Sequence, residues 1–369
     1  MEQGLKAPRG DAELRRMTPR ETAIELFLSA GAWKAAQRRP FAHDASFRRY
    51  FRLTGGPKAA LLMDAPPPQE DVRPWCKIGR HLESLGLSAP AIYEEDEARG
   101  LLVIEDYGDE TFPLALKHGD SAALYAAAVD TLIALHRAPQ AIAVDVPDYD
   151  ERTLLEKASL LLDWFIPAIG GGVVSAEARA DYEAAWRGIL PLRKGVPETL
   201  ALRDFFPENI MWLPARLGVR RCGLLDFQDA SRAPVVYDLV SLLEDARRDV
   251  PEKLRAAMIE RYLAAFPRQN HTDFMAAAAV MAAQRHARVI GVFARLWKRD
   301  GKPRYLAHIS RVWGLLERSL AQPGLTPLKR WFDVHVPAAL RRAPEAAPLA
   351  QERELTAMGA SGALRLAEP

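Results

Sequence analysis

The hydrophobic period changes near residue 110, and that change limits the possible architecture more than any other feature of the chain. Ahead of it, residues 46–53 (SFRRYFRL) alternate aromatic and basic side chains, and residues 59–64 (AALLMD) form a short apolar run. Thr54-Gly55-Gly56-Pro57 between them has turn chemistry, which predicts a hairpin. Prolines at 66–68 stop the second strand, residues 71–85 have helical spacing, and residues 101–105 (LLVIE) read as a third strand buried on both faces. An amphipathic helix over 21–35, with Ile24, Phe27 and Leu28 on one face, precedes them. After the change, helical spacing holds over 121–136, 150–164, 176–189, 235–247, 251–265, 273–298 and 305–320. One island at 200–226 interrupts it, with apolar runs at 210–213 and 222–225 around a turn, so a second hairpin is predicted inside the helices. The expected class is α+β, with a small antiparallel sheet lobe and a large, mostly helical one. The expected divisions are a flexible segment at 1–20, a sheet lobe at 21–107, a helical lobe at 108–342 and a mobile tail at 343–369.

Charge and composition exclude several roles. Fifty basic against 48 acidic residues in 369 leave a net charge of +2, too balanced for a broad nucleic-acid-binding face. Cys76 and Cys222 are the only cysteines and lack metal-type spacing, which argues against a disulfide framework or a zinc site. No apolar run reaches the roughly 18 residues of a membrane span, and residues 1–20 lack a signal-peptide core. A cytoplasmic chain without membrane or nucleic-acid partners is expected, with a monomer favoured.

The island carries the chemistry: Leu202-Arg203-Asp204-Phe205-Phe206-Pro207-Glu208-Asn209, then Leu225-Asp226-Phe227-Gln228. Phosphoryl transfer from a nucleotide needs one carboxylate to orient the attacking hydroxyl, plus an amide oxygen and a second carboxylate to hold a divalent cation. Asp-x4-Asn sets Asp204 and Asn209 on one loop, and a hairpin return brings Asp226 beside them. Such hard oxygen ligands suit Mg²⁺, with ATP as the phosphoryl donor.

These motifs, together with Asp44-Ala45-Ser46-Phe47-Arg48-Arg49-Tyr50, Leu62-Met63-Asp64-Ala65-Pro66-Pro67, Leu101–Gly108 (LLVIEDYG) and Asp226-Phe227-Gln228-Asp229-Ala230, give a resemblance over about residues 20–335. The chain resembles the aminoglycoside phosphotransferase and choline kinase superfamily. Within it, it is most similar to bacterial cell-wall recycling kinases that phosphorylate the anomeric hydroxyl of N-acetylmuramic acid and N-acetylglucosamine. The resemblance implies a bilobal protein-kinase-like fold, Asp204 as catalytic aspartate, and Asn209 and Asp226 as Mg²⁺ ligands. It places Ser46, Phe47 and Arg48 on the phosphates and the backbone of Glu105, Asp106 and Tyr107 on adenine. Asp238 opens a helix beside the catalytic loop, either as an ordinary helix cap or in a role at that loop.

The chain departs from the family at three points. Met63 and Ile78 stand where kinases carry the strand lysine and its helix glutamate, so Arg48, Arg49 or Arg52 is expected to supply the missing charge. Leu202 replaces a loop-bracing histidine, and Arg203 replaces a common glycine, setting a cation near the reacting centre. In the superfamily the acceptor lies against C-terminal helices. Here that region holds Gln284, Arg285, Arg288 and Arg295, expected sugar contacts that would repel a polycationic aminoglycoside and suit a neutral or anionic sugar. Glu156 and Asp163, seven apart, would share one helix face. The expected activity is an ATP- and Mg²⁺-dependent amino sugar 1-kinase. A kinase of another small hydroxyl compound and a non-catalytic kinase-like binding protein are the alternatives.

Overall fold

The computed structural model describes residues 18–41, 47–170 and 172–344. Ser46, nearly all of the segment expected to be flexible at the start, and the tail from Glu345 onward lie outside the described residues. The chain forms two compact units. One gathers residues up to Asp148 with Glu198–Leu242 and Glu252–Phe266; the other holds Tyr149–Pro197, Leu243–Pro251 and the residues from Pro267 onward. The division read at residue 107 therefore falls inside the first unit, because the helices that follow it pack on the strands of the island.

In the first unit, helix α1 (Pro19–Ala30) opens on a capping box. Thr18 Oγ1 accepts from the Glu21 peptide at 3.2 Å, and Glu21 Oε2 accepts from the Thr18 peptide at 2.8 Å. It stops short of the predicted 35 because the Glu94 carboxylate takes the Ala32 N–H at 2.6 Å and the chain turns away. The sheet that follows has five antiparallel strands in the order β1-β2-β3-β5-β4: β1 Gln37–Pro40, β2 Arg49–Thr54, β3 Ala60–Asp64, β4 Ile92–Asp96 and β5 Leu101–Glu105. Helix α2 (Arg73–Ser84) joins β3 to β4. The hairpin β2–β3 and the buried strand β5 stand where the periodicity predicts them. β1 and β4 were not predicted: they are short edge strands of polar sequence (QRRP, IYEED) and carry no apolar alternation. Ile24 and Leu28 of α1, with Trp33, bury against Leu53, Leu62, Leu101 and Val103 of the sheet. Each large side chain of that set contributes about 1.5–3 kcal/mol by leaving water.

The island forms two small ladders. β6 (Glu198–Ala201) pairs with β9 (Ser231–Pro234), which ties the ends of the island together, and β7 (Ile210–Trp212) pairs with β8 (Cys222–Leu224). The second is the predicted hairpin. The first has no periodic signal, since Glu198–Ala201 and Ser231–Pro234 hold only four residues each.

The second unit is helical. Helix Glu151–Leu160 runs into a wide π turn at Leu161–Phe165, and Ala176–Ile189, His271–Lys298, Ile309–Leu320 and Thr326–His335 complete it. The long helix His271–Lys298 crosses the π turn at Gly291, where a Cβ would come within 2.3 Å of the Leu160 carbonyl carbon. The wide turn inserts an extra residue, so the spacing of seven between Glu156 and Asp163 no longer marks one face; Asp163 instead pairs with Arg179. The helices Phe112–His118 and Thr326–His335 escaped the sequence reading because a proline sits in the first turn of each, where it starts a helix rather than breaking one. Among the described residues no helix is long and apolar enough to cross a membrane.

Candidate active site

The site is built in the first unit by the loop between β6 and β7 and the return after β8. A single 3-10 turn, Pro207–Asn209, follows Asp204, and the Asn209 peptide donates to Phe206 O at 2.9 Å. Asn209 Nδ2 donates to Asp204 O at 3.1 Å and to Asp226 Oδ2 at 3.3 Å. The Leu225 peptide donates to Asn209 O at 3.0 Å, extending the β7–β8 ladder so that Asp226 emerges beside Asn209. The structure thus brings Asp204, Asn209 and Asp226 to one place, all three half-buried. Gln228, two residues on, donates through Nε2 to Asp226 Oδ1 at 2.7 Å and fixes the carboxylate from its other side. Arg203 (φ 68°) and Asp226 (φ 57°) are left-handed, a conformation that costs an L-residue about 1–2 kcal/mol. Both belong to this site.

Two further residues brace the loop pair. Asp238, 1 % exposed, accepts from the peptides of Leu202 at 2.6 Å and Arg203 at 2.9 Å. Its carboxylate therefore holds the catalytic loop rather than capping its own helix, Val236–Leu243, and supplies the bracing that Leu202 cannot. The Phe227 ring packs at a tilt against Trp75 of α2, ring centroids 5.3 Å apart, locking the Asp226 turn to the helix beside the sheet. Arg203 Nη1 donates to Asp229 O at 3.1 Å.

On the sheet side, Arg48 Nε donates to Glu70 Oε2 at 2.9 Å, and the same carboxylate accepts the Phe47 peptide at 3.1 Å. The Phe47 ring itself is 69 % exposed. Burial weakens the protonation of Arg48, but Tyr50, Glu70 and Asp226 outweigh it, and its pKa is raised. Arg49 is held by Asp64, which is also gripped by Arg20 (Nε–Oδ1 2.7 Å). Arg52 pairs with Asp106 at 2.6 Å and Asp109 at 2.8 Å.

Where adenine contacts were expected, the Glu105 peptide N–H donates to Ala91 O at 2.8 Å and that of Asp106 to Ala59 O at 3.4 Å. Glu105 Oε1 accepts from Arg216 Nη2 at 2.5 Å, and the Arg216 guanidinium lies 5.0 Å from the Tyr107 ring centroid. Tyr107 packs so closely on Gly223 that a Cβ there would meet its ring at 2.7 Å.

Arg203 apart, the residues expected to meet the acceptor lie on the long helix of the second unit. Gln284 is fully buried and donates to Leu154 O at 3.1 Å and Tyr149 Oη at 3.3 Å, so its amide nitrogen is spent on helix packing. Arg285 is buried; Arg288 and Arg295 are half-buried. Burial and then Arg299 lower the pKa of Arg295.

Residues 37–278 match the model of the phosphotransferase enzyme family. The chain belongs to that family. It is 37 % identical to an N-acetylmuramate/N-acetylglucosamine kinase of Caulobacter vibrioides over 88 % of this chain and 98 % of the relative. It is also 37 % identical to a kinase of the same name from Pseudomonas aeruginosa, over 81 % of this chain and 88 % of the relative. Among solved structures it is similar to a choline/ethanolamine kinase family protein from Mesorhizobium loti (TM-score 0.56, 13 % identity, 85 % of this chain and 99 % of that one). It is similar also to an ADP-bound aminoglycoside phosphotransferase, APH(2'')-Ib (TM-score 0.53, 16 % identity, 79 % and 94 %). The fold is accordingly protein-kinase-like, with an antiparallel sheet region followed by mostly helical structure.

Proposed function

We propose that this phosphotransferase is an ATP- and Mg²⁺-dependent kinase of the anomeric hydroxyl of N-acetylmuramic acid, N-acetylglucosamine or both, working in the cytoplasm on sugars released from peptidoglycan. The observation that carries the reading is the gathering of Asp204, Asn209 and Asp226 on one braced loop pair in a chain so similar to named amino sugar kinases. The Asn209 side-chain amide lies against the Asp226 carboxylate, Nδ2 to Oδ2 3.3 Å, and an amide oxygen with a carboxylate is a hard donor set that fits Mg²⁺. Those two residues would hold the metal, which supplies charge neutralisation on the phosphates when bound. Asp204 orients the sugar hydroxyl and takes its proton. An anomeric hydroxyl is more acidic than an ordinary alcohol, so positioning contributes more than strong base catalysis. Ser46, Phe47 and Arg48 would face the phosphates, and the backbone of the Glu105–Tyr107 stretch would meet adenine. The cations Arg285, Arg288 and Arg295 favour a neutral or anionic acceptor over a polycationic one.

The test is a radiolabelled ATP assay against amino sugars, aminoglycosides and choline. Alkali-stable, acid-labile phosphate on an N-acetyl amino sugar is expected. Asp204→Asn is expected to abolish transfer with nucleotide affinity retained; normal turnover in that variant would remove Asp204 from its role.

A further inference from the structure

Kinases meet the nucleotide phosphates with a strand lysine that a glutamate of the neighbouring helix holds in place. Both positions are apolar here: Met63 on β3 and Ile78 on α2 are each 1 % exposed. Their replacement leaves a phosphate site without its usual cation, and a polyanion bound in a partly closed site needs one. Three arginines at the start of or along β2 are the available sources, and their partners separate them. Arg49 is committed with Arg20 to the fully buried Asp64. Arg52 is committed to Asp106 and Asp109. Arg48 is paired with Glu70, both side chains 12 % exposed, at the mouth of the hairpin.

We infer that Arg48 does the work of the missing strand lysine on the nucleotide phosphates, and that Glu70, from the loop between β3 and α2, is its positioning residue. Glu70 grips this point twice, through the Arg48 guanidinium at 2.9 Å and the Phe47 peptide at 3.1 Å. It therefore fixes both the direction of the side chain and the backbone from which it projects. Asp226 is among the charges that raise the pKa of Arg48, after Tyr50 and Glu70. Asp226 is also what a metal–triphosphate complex would neutralise, so the arginine would exchange part of its attraction to that carboxylate for the phosphates. An ion pair has moved from strand and helix to two loops while keeping its composition: one cation toward phosphate, one acid behind it.

This inference rests on the kinase reading, and the experiment separates the two. Calorimetry of the full chain with Mg-ATP, Mg-ADP and adenosine needs no acceptor. Arg48→Gln is expected to weaken ATP and ADP binding tenfold or more and leave adenosine binding within twofold. Arg48→Lys should recover part of the loss. Glu70→Gln should raise the KM for ATP several-fold with the sugar KM unchanged, Glu70→Asp should recover part of it, and the Arg48→Gln/Glu70→Gln double variant should be no worse than Arg48→Gln. Arg39→Gln, on the exposed face of β1, should behave as wild type. Wild-type thermal melting in each variant excludes unfolding as the cause. ATP binding unchanged in Arg48→Gln would overturn the arginine assignment while leaving the kinase reading intact. Failure of the wild-type chain to bind Mg-ATP would overturn both.

Discussion

Asp238 is the residue on which the geometry of the catalytic loop most depends. A carboxylate has no donor, so it can accept from two peptides at once, and here it takes those of Leu202 and Arg203 inside the protein. The second of those peptides belongs to a residue with φ 68°, which the loop would shed if it were free to relax. The hydrogen bonds and the strain are therefore coupled: Asp238 holds Arg203 in the left-handed region, and that turn delivers Asp204. Asp238→Asn keeps the volume but presents an NH₂ to one of the two N–H groups. The expected result is a loss of about 1–3 kcal/mol of stability, and a larger fall in kcat than any change in the KM for ATP. Chemical denaturation and steady-state kinetics check it, and unchanged kcat would dissociate the brace from catalysis.

At the scale of elements, periodicity revealed the longer ones with a buried face and missed polar edges, very short strands and helices that open on a proline. Strand β5 reads plainly because Leu101, Leu102, Val103 and Ile104 are all buried. β1 and β4 are edges with mostly polar faces, and β6 and β9 are too short to show a period. The site divides in the same way. Asp204, Asn209 and Asp226 sit close in sequence with a hairpin between, so their convergence was legible. Glu70 pairs with Arg48 across 22 residues and Asp238 with Leu202 across 36, and local pattern carries no trace of such contacts. Packing can also reverse a local preference. Alanine in place of a helix-interior glycine ordinarily adds about 0.5–1 kcal/mol. At Gly314, with open space at the Cβ position, Gly314→Ala is expected to follow that rule. At Gly291, where the new carbon would lie 2.3 Å from Leu160 backbone, Gly291→Ala is expected to lose about 1–3 kcal/mol as the long helix is pushed off the π turn. Thermal unfolding of the pair should give shifts of opposite sign; two upward shifts would mean the π turn yields.

Across the whole molecule, acid sensitivity follows from one buried histidine in each compact unit. His136 in the first donates or accepts at Nδ1 with Tyr262 Oη at 2.7 Å, and burial depresses its pKa from 6.5 to about 3. His286 in the second is lowered from 6.5 to about 3, by burial first and then by the charges of Arg285 and Arg318, with a hydrogen bond to the Glu244 backbone acting in the other direction. Between about pH 3 and 6.5 both are neutral in the folded chain and take up a proton on unfolding. The folded state consequently binds fewer protons than the unfolded one between pH 6.5 and about 3, and stability falls as pH falls through that window. Each group contributes a slope approaching about 1.4 kcal/mol per pH unit once well below 6.5. The carboxylates with lowered pKa, such as Asp150 and Asp333, hold their ordinary values only near 3.8 in the unfolded chain, so they add to the loss further down. Melting temperatures measured between pH 7.5 and 5 therefore isolate the histidines. A flat profile above pH 6.5 and a decline below it are expected, with the decline reduced in His286→Gln; a profile that stays level to pH 5 would mean that one or both rings ionise in place.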